Sequence, residues 1–360
     1  MRSAGLATSR DAAGNLFGRW ETGTGPTILV GSHLDTVPSG GRFDGALGVV
    51  GALDAVRRLQ ASGFRPARPI TVVAFMDEEG ARFGTDFFGS RAFVGDDLVA
   101  EASRTDLSGV SLAGAMGELG RPFDELRSAV RVEDVAAYLE LHIEQGPVLE
   151  QAEAEIGIVT AIVGFRSLRV VFDGTASHIG TTPMDARSDA LAGAARAVLA
   201  LREHARRSNA GLATTGSLIV EPGVHTVIPG RTTLVVDMRA ADDDVLDSLA
   251  ALFKATVEDI ASEEGLDVEL VETLRGRPVP LDSGIAAIAT DAASLVGAQS
   301  LTMTSGAIHD AMVLAQHVPT GLLFVPSVGG VSHSPDEHTT PAACEVGVAT
   351  LAETLKALAT

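Results

Sequence analysis

The order of the apolar runs is the feature of this chain that most restricts its fold. Short β-branched runs bounded by turn residues predict buried strands at 27–30, 70–76, 138–143 and 322–325. Apolar residues recur at helical spacing in 46–59, 285–295 and 342–358. A strand, a helix and a second strand in succession imply a βαβ unit, so we expect both chain ends to build one α/β layer.

The middle of the chain has a different pattern. Its strand-like and helical segments are 167–172, 189–206, 217–220, 232–237, 245–260 and 268–273. They follow the order β-α-β-β-α-β, which is the split βαβ arrangement of ferredoxin-like domains. We therefore predict an α/β protein in which residues 1–163 with 276–360 form one domain and residues 164–275 form an inserted α+β domain.

Five short segments carry a dense set of side chains of the kinds that bind metals. They are 31–38, 40–45, 76–84, 141–146 and 330–335. Each segment follows or ends a predicted strand. Because ligands gather beyond the carboxyl ends of the strands in open α/β sheets, these distant segments are predicted to meet at one place.

The segments supply three imidazoles and two carboxylates. These are His33, Asp44, Glu79, His142 and His333. A mixed nitrogen and oxygen set suits zinc, manganese or cobalt better than magnesium or calcium. We therefore predict two divalent metal ions, which the carboxylate of Asp44 can bridge from its glycine-flanked turn.

Two further carboxylates have predicted roles beside these ligands. Glu78 precedes Glu79 in an irregular turn, where adjacent side chains can point to different partners. Glu78 is therefore the candidate general base, which takes a proton from water and hands it to the leaving nitrogen. Asp35 lies two residues after His33, on the same face of the strand, and is predicted to orient that imidazole.

Composition and missing motifs exclude several classes of function. Asp plus Glu total 47 against 27 Lys plus Arg, a net charge of -20, so we exclude a nucleic-acid partner. Neither an export signal nor a membrane-spanning run is predicted, and the cytoplasm is the expected compartment. A dinucleotide fingerprint, a Walker loop and a G-x-S-x-G elbow do not occur in the sequence, so a nucleotide cofactor and a serine nucleophile are unsupported.

The motifs resemble those of the amidase/hydantoinase/carbamoylase family, from about Gly5 to the C-terminus. The stretches that carry the resemblance include GSHLDTVPSGGRFDGALGV, DEEGARFG, ELHIEQGPVLE, HIGTTPMDAR and FVPSVGGVSHSPDE. The family contains N-carbamoyl-L-amino-acid hydrolases, β-ureidopropionases and allantoate or ureidoglycolate amidohydrolases. The resemblance implies a zinc-exopeptidase-like domain with a mixed sheet, the same five metal ligands, and Glu78 as the catalytic glutamate.

The resemblance also implies roles for residues of the insert and for one glutamine. The insert resembles the family's dimerisation and lid domain, so we expect a homodimer in which His178 reaches the partner's active site and stabilises the oxyanion. Gln145 matches a substrate contact, and Arg239 matches the arginine that holds the substrate carboxylate. Thr226 stands where relatives usually carry a substrate-contacting asparagine. Met1 aligns within the family pattern, so an N-terminal helical segment is expected to be missing.

The predicted activity is metal-dependent hydrolysis of the ureido C–N bond of N-carbamoyl-L-amino acids or related small ureido acids that carry a carboxylate. One alternative keeps the same chemistry but acts on allantoate or ureidoglycolate. Another is an inactive dimer that binds a small ligand, since Thr226 and Ile308 depart from the family pattern. Every metal ligand and Glu78 are retained, which favours the enzyme.

Overall fold

The computed structural model describes residues 1–208 and 211–360, which fall into two compact units. One unit comprises Met1–Ala161 and Pro280–Thr360, and the other comprises Ile162–Val279. None of the helices in the described ranges is long and apolar enough to cross a membrane.

The described residues form fifteen strands and nine α-helices. The strands are β1 Ala7–Arg10, β2 Leu16–Trp20, β3 Thr27–His33, β4 Ile70–Phe75, β5 Val135–Ile143, β6 Ile156–Ile162, β7 Gly164–Asp173, β8 Ser177–His178, β9 Gly211–Glu221, β10 Val227–Ile228, β11 Arg231–Ala240, β12 Asp267–Gly276, β13 Val279–Pro280, β14 Ser300–Ser305 and β15 Thr320–Val325. The α-helices are α1 Ala46–Ala61, α2 Phe88–Val94, α3 Leu112–Glu118, α4 Val148–Gln151, α5 Ala190–Ser208, α6 Asp243–Glu264, α7 Ser283–Leu295, α8 Asp310–Leu314 and α9 Pro341–Leu358. Short 3-10 helices lie at Arg2–Ala4, Val99–Ser103, Phe123–Ala129, Val132–Asp134, Met184–Ala186 and Val328–Gly330.

The first unit is built on a mixed sheet with the strand order β1-β2-β4-β3-β5-β15-β6-β13, in which β14 also pairs with β6. Strands β4, β3, β5 and β15 are parallel to one another, whereas β2 runs antiparallel to β4 and β6 runs antiparallel to β15. Strands β3, β4 and β15 are buried along their whole length. Continuous apolar runs are typical of parallel strands covered on both faces, so the predicted mixed α/β sheet is confirmed.

Strand β5 divides its side chains between the two faces of this sheet. Leu139 and Leu141 pack in the core with residues of α1 and α9. Because side chains alternate along a strand, Tyr138, Glu140 and His142 point to the opposite face. Helix α8 packs against β5 and β15.

The second unit is a four-stranded antiparallel sheet with the order β12-β7-β11-β9, packed against α5 and α6. Its core includes Phe172, Val236 and Phe253. The chain order β7-α5-β9-β11-α6-β12 is the predicted ferredoxin-like order, which is confirmed. A separate two-residue ladder joins β8 to β10.

Candidate metal centre

The carboxyl ends of four parallel strands gather the predicted ligand segments at one edge of the larger sheet. His33 is the last residue of β3, and His142 is the last but one of β5. Glu78 and Glu79 follow β4, and His333 follows β15. Parallel neighbours end at the same edge, which is why segments far apart in sequence meet here.

Asp44 lies between two groups of ligand side chains. Its Oδ1 is 3.1 Å from Nε2 of His142 and 3.7 Å from Nε2 of His33. Its Oδ2 is 3.2 Å from Nε2 of His333, which is 3.6 Å from Oε1 of Glu79. In each of the two groups that share Asp44, the ligand atoms lie within 4.8 Å of one another. The two oxygens of one carboxylate therefore face different sets of ligands.

Main-chain carbonyls orient two of the three imidazoles. Nδ1 of His33 lies 2.9 Å from the carbonyl oxygen of Asp35, and Nδ1 of His142 lies 2.9 Å from that of Ile143. In the neutral rings, these hydrogen bonds place the proton on Nδ1 and leave the lone pair on Nε2. The Nε2 of His142 accepts a hydrogen bond from the backbone N–H of Gly45 at 3.1 Å.

The backbone carbonyl of Asp35, rather than its carboxylate, lies against His33, and the role of Asp35 in orienting that imidazole stays a prediction. The nearer carboxylate oxygen is 3.9 Å from Nδ1 of His33. Strand β3 ends at His33, so the alternation that places residues i and i+2 on one face no longer holds at Asp35. Its Oδ2 accepts a hydrogen bond from the backbone N–H of Glu79 at 3.1 Å instead.

Burial and charge shift the pKa of Glu78, Glu79 and Asp44. Burial, with the negative charges of Asp310 and Glu79, raises the pKa of Glu78 well above its usual range. Burial and the Asp44 carboxylate raise the pKa of Glu79 to about 7. Burial also acts to raise the pKa of Asp44, but the imidazoles of His142 and His33, in their protonated forms, outweigh it and hold that pKa well below its ordinary value.

The donor set fits a pair of divalent cations. Three imidazoles and two carboxylates lie together, which is the mixture that zinc, manganese and cobalt favour. Oε1 of Glu79 is buried and has no hydrogen-bond partner among the described residues. An unsatisfied buried carboxylate oxygen costs at least about 1–3 kcal/mol, and a cation at this position would satisfy it.

Unusual backbone conformations bring several of these side chains into place. Asp77, Gln145 and His333 have left-handed backbones, with φ of 54°, 59° and 54°. Such conformations cost roughly 1–3 kcal/mol in non-glycine residues and concentrate at functional sites. Gly45 has φ 61°, and a Cβ there would lie 2.3 Å from the His33 ring, so the turn between Asp44 and α1 requires glycine.

Four buried residues around the centre were missed as functional candidates: Glu140, His309, Asp310 and Glu337. Glu140 accepts hydrogen bonds from the Ser32 hydroxyl at 2.6 Å and from the Ala311 backbone N–H at 2.9 Å. The ring centroid of His309 is 4.4 Å from that of His142. A single glutamate two residues before His142 in an apolar strand was the available signal for Glu140, because this spacing puts both on one face.

Three predicted site residues lie in the second unit: His178, Thr226 and Arg239. His178 and Thr226 are exposed, and Thr226 immediately precedes the residue that pairs with His178 in the β8–β10 ladder. Nδ1 of His178 accepts a hydrogen bond from the backbone N–H of Gly180 at 3.0 Å, so the ring proton lies on Nε2. Nε of Arg239 donates to Oδ1 of Asp237 at 2.9 Å. Their contacts with substrate remain predictions.

Comparisons with known proteins agree on one family. The sequence profile of peptidase family M20/M25/M40 matches residues 29–357. An N-carbamoyl-L-amino acid amidohydrolase from Geobacillus stearothermophilus is 42% identical over 363 residues, covering 100% of this chain and 88% of that protein. An allantoate amidohydrolase from Bacillus subtilis is 39% identical over 364 residues, with the same coverage. The crystal structure of a hydantoinase/carbamoylase family amidase from Burkholderia multivorans has a TM-score of 0.91 at 36% identity, covering 99% of this chain and 87% of that one.

Proposed function

The chain belongs to peptidase family M20/M25/M40, among its hydantoinase/carbamoylase amidases, and on that premise we propose that it is a two-metal amidohydrolase that cleaves N-carbamoyl-L-amino acids. The products would be the free amino acid, ammonia and carbon dioxide. The observation that carries the proposal is the division of the five ligands into two sets that share Asp44.

The two ligand sets suggest which residues would hold each ion. His33, Asp44 and His142 would bind one cation, and Asp44, Glu79 and His333 would bind the other. Zinc, manganese and cobalt suit these donors. When bound, such ions supply Lewis acidity that polarises a carbonyl and lowers the pKa of a water molecule from about 15.7 to about 7.

Glu78 is the proposed proton carrier. Its side chain is buried, with Oε2 3.7 Å from Nε2 of His33, so it lies beside the ligands without belonging to either ligand set. Burial and the negative charges of Asp310 and Glu79 raise its pKa, which makes its ionised form a stronger base. The same carboxyl group would take the proton from the attacking water and deliver it to the departing nitrogen.

Four polar residues are proposed to contact the substrate: Gln145, Arg239, Thr226 and His178. Oε1 of Gln145 is buried without a hydrogen-bond partner in the part of the chain that the structure describes, and it would accept a hydrogen bond from a ureido N–H. Arg239 would bind the substrate carboxylate through its guanidinium group, with Thr226 as a further contact. The Nε2–H of His178 would donate a hydrogen bond to the developing oxyanion.

We propose a homodimer that forms through the second unit, so that His178 serves the partner's active site. The sheet face away from α5 and α6 exposes apolar side chains of β9 and β11, namely Leu212, Ile219 and Val235. Strand β9 is also an edge of its sheet. An apolar face beside an open edge is a surface that another chain can cover.

Ammonia release by the metal-loaded protein tests this function. The purified chain would be supplied with zinc, manganese or cobalt and assayed with N-carbamoyl-L-amino acids, β-ureidopropionate, allantoate and ureidoglycolate. We expect turnover of N-carbamoyl-L-amino acids that a chelator abolishes. Protein that binds two ions but releases no ammonia from any of these compounds would contradict the proposed reaction.

Allantoate is the second candidate substrate. The Bacillus subtilis allantoate amidohydrolase is nearly as similar to this chain as the carbamoyl hydrolase, with equal coverage. The chemistry would be unchanged, because both compounds present a ureido group and a carboxylate. The ratio of kcat/KM for the two compounds decides between them.

A further inference from the structure

Glu337 is a buried glutamate that belongs to neither set of ligands, and only 3% of it is exposed. Its Oε1 accepts hydrogen bonds from the backbone N–H groups of Phe43 and Asp44, both at 3.0 Å. Its Oε2 accepts one from the hydroxyl of Ser332 at 2.8 Å. One carboxylate therefore joins the loop that carries Asp44 to the loop that carries His333.

Gln145 closes these contacts into a ring of hydrogen bonds. Its Nε2 donates to Oδ2 of Asp44 at 3.0 Å and to Oγ of Ser332 at 3.3 Å. Oδ2 is the Asp44 oxygen that faces His333. The ring members come from three distant parts of the chain, so local structure alone does not fix this oxygen.

The neighbouring backbone leaves space for the Glu337 side chain. A Cβ built on Gly41 would lie 2.1 Å from Oε1 of Glu337 and 2.5 Å from its Cβ. Both distances are far below ordinary van der Waals contact. Glycine at position 41 therefore allows the carboxylate to reach the backbone of the Asp44 loop.

The two proposed metal positions differ in what holds their ligands. His33 and His142 lie against the carbonyls of Asp35 and Ile143, whereas the side chain of Glu337 accepts hydrogen bonds from Phe43, Asp44 and Ser332. The position formed by Asp44, Glu79 and His333 depends on two loops that Glu337 joins. Loss of Glu337 should therefore weaken metal binding at the position formed by Asp44, Glu79 and His333 much more than at the other position.

We infer that Glu337 is a positioning residue that fixes Asp44 relative to His333 and thereby sets the metal affinity of the position those residues share with Glu79. This inference rests on the proposed two-metal function. Residues that orient metal ligands typically change metal affinity by about 10- to 100-fold. Glu337 acts through Asp44 and Ser332 and touches no reacting atom.

Titration of the metal-free protein with Zn²⁺ against a chelating indicator tests the inference. The wild-type chain should bind two ions, and Glu337→Ala should weaken one of the two affinities by about 10- to 100-fold while the other is unchanged. Glu337→Gln should retain both affinities, since its amide oxygen can accept the two backbone N–H groups and its NH₂ group can donate to Ser332. Ser332→Ala, which removes only one arm of the ring, should cause a smaller loss in the same affinity.

Two controls separate positioning from general damage. Asp282 caps α7 at the amino end of β15, and its Oδ1 accepts a hydrogen bond from the Ile285 backbone N–H at 2.8 Å. Asp282→Ala should lower the melting temperature without changing either metal affinity. The His333→Ala variant has already lost the metal position that depends on Glu337. Adding Glu337→Ala to it should leave the metal affinity of the other position unchanged.

Equal weakening of both affinities, or none, in Glu337→Ala would overturn the inference. So would a loss in Glu337→Gln as large as that in Glu337→Ala, because the ring can form with glutamine. A wild-type chain that binds fewer than two ions would overturn the two-metal function itself, and the inference with it.

Discussion

Glu78 and Glu79 are adjacent, yet the turn after β4 gives them different neighbours. Oε2 of Glu78 lies 3.7 Å from Nε2 of His33, whereas Oε1 of Glu79 lies 3.6 Å from Nε2 of His333. Of these two glutamates, Glu79 belongs to a set of ligand atoms that could hold a metal among the described residues, and Glu78 does not. The left-handed backbone of Asp77, with φ 54°, directs the chain into this turn.

Glu78→Gln should lower kcat by about 10²- to 10⁴-fold, which is the usual contribution of a general acid–base group. Glutamine preserves the size of the side chain but cannot carry the proton. The metal content should stay at the wild-type level, because Glu78 is not a proposed ligand. Steady-state ammonia release and metal analysis on the same preparation measure both quantities.

Glu79→Gln is the matched control, and it should lower the metal content instead. A Glu78→Gln enzyme with bound metals and a wild-type kcat would remove Glu78 from the proposed mechanism. A Glu78→Gln enzyme that had lost its metals would instead make Glu78 a ligand.

At the scale of the element, α1 brings its glycine-rich first turns against the two strands that end at the metal centre. A Cβ on Gly48 would lie 2.5 Å from the Leu141 carbonyl oxygen and 2.6 Å from Cβ of Ser32. These two residues directly precede His142 and His33. Close packing of this helix and the position of two ligands are therefore linked.

Gly48→Ala should destabilise the protein although alanine favours a helix more than glycine does. The gain in helix propensity is about 1 kcal/mol, and overpacking against backbone costs about 1–3 kcal/mol. We also expect weaker metal binding, since Ser32 and Leu141 would have to move. Urea denaturation and a metal titration measure the two effects.

Gly117 provides the comparison, because it lies in α3 and a Cβ there meets no atom of the described residues within 4 Å. Gly117→Ala should raise the free energy of unfolding by about 0.4–1 kcal/mol. If Gly48→Ala were stabilising to the same extent, the proposed close packing of α1 would be incorrect.

The strands and helices could be predicted from the sequence because the spacing of apolar residues along the chain indicates which residues are buried. The runs at 27–30 and 322–325 predicted the cores of β3 and β15, which the structure extends to Thr27–His33 and Thr320–Val325. The added residues include glycine and polar groups such as Ser32 and His33, which lower the apolar signal. Periodicity therefore found the strands but not their full lengths.

The ligand segments were predictable because strand ends in an α/β sheet converge, and the structure does bring His33, Asp44, Glu79, His142 and His333 together. Glu337 was not predictable in this way. Its partners include Phe43 and Asp44, nearly 300 positions earlier in the chain, and a charged residue in a polar loop gives no signal of burial. Its role follows only from tertiary contacts.

At the scale of the whole molecule, the uncovered face of the second unit gives a prediction about assembly. Ile219 is 58% exposed on that face. Ile219→Lys should convert a dimer into a monomer, because a charge in an apolar interface is costly to bury. Sedimentation velocity of the full chain measures the change.

The same substitution should lower kcat by about 10²- to 10³-fold if His178 of the partner subunit provides an oxyanion donor. Leu107→Lys is the control, since Leu107 is fully exposed in the first unit and should affect neither assembly nor turnover. A monomeric wild-type chain with full activity would contradict both the proposed dimer and the proposed role of His178.

Removal of the metals should destabilise the first unit and leave the second unchanged. All five proposed ligands lie in the first unit, whereas the second has its own core around Phe172 and Phe253. A ligand that binds only the folded state stabilises it by about 2.7 kcal/mol at a free concentration of 100 times its Kd.

Hydrogen exchange resolves this effect by segment. After chelation, we expect faster exchange of the backbone amides in β3, β5 and β15, and no change in β7 and β11. Restoring zinc should restore the protection, because the ligands pull the carboxyl ends of these strands toward shared ions. Equally faster amide exchange in both units would mean that the metals stabilise the chain as one cooperative body. Unchanged exchange in both units would mean that the metals bind outside this centre.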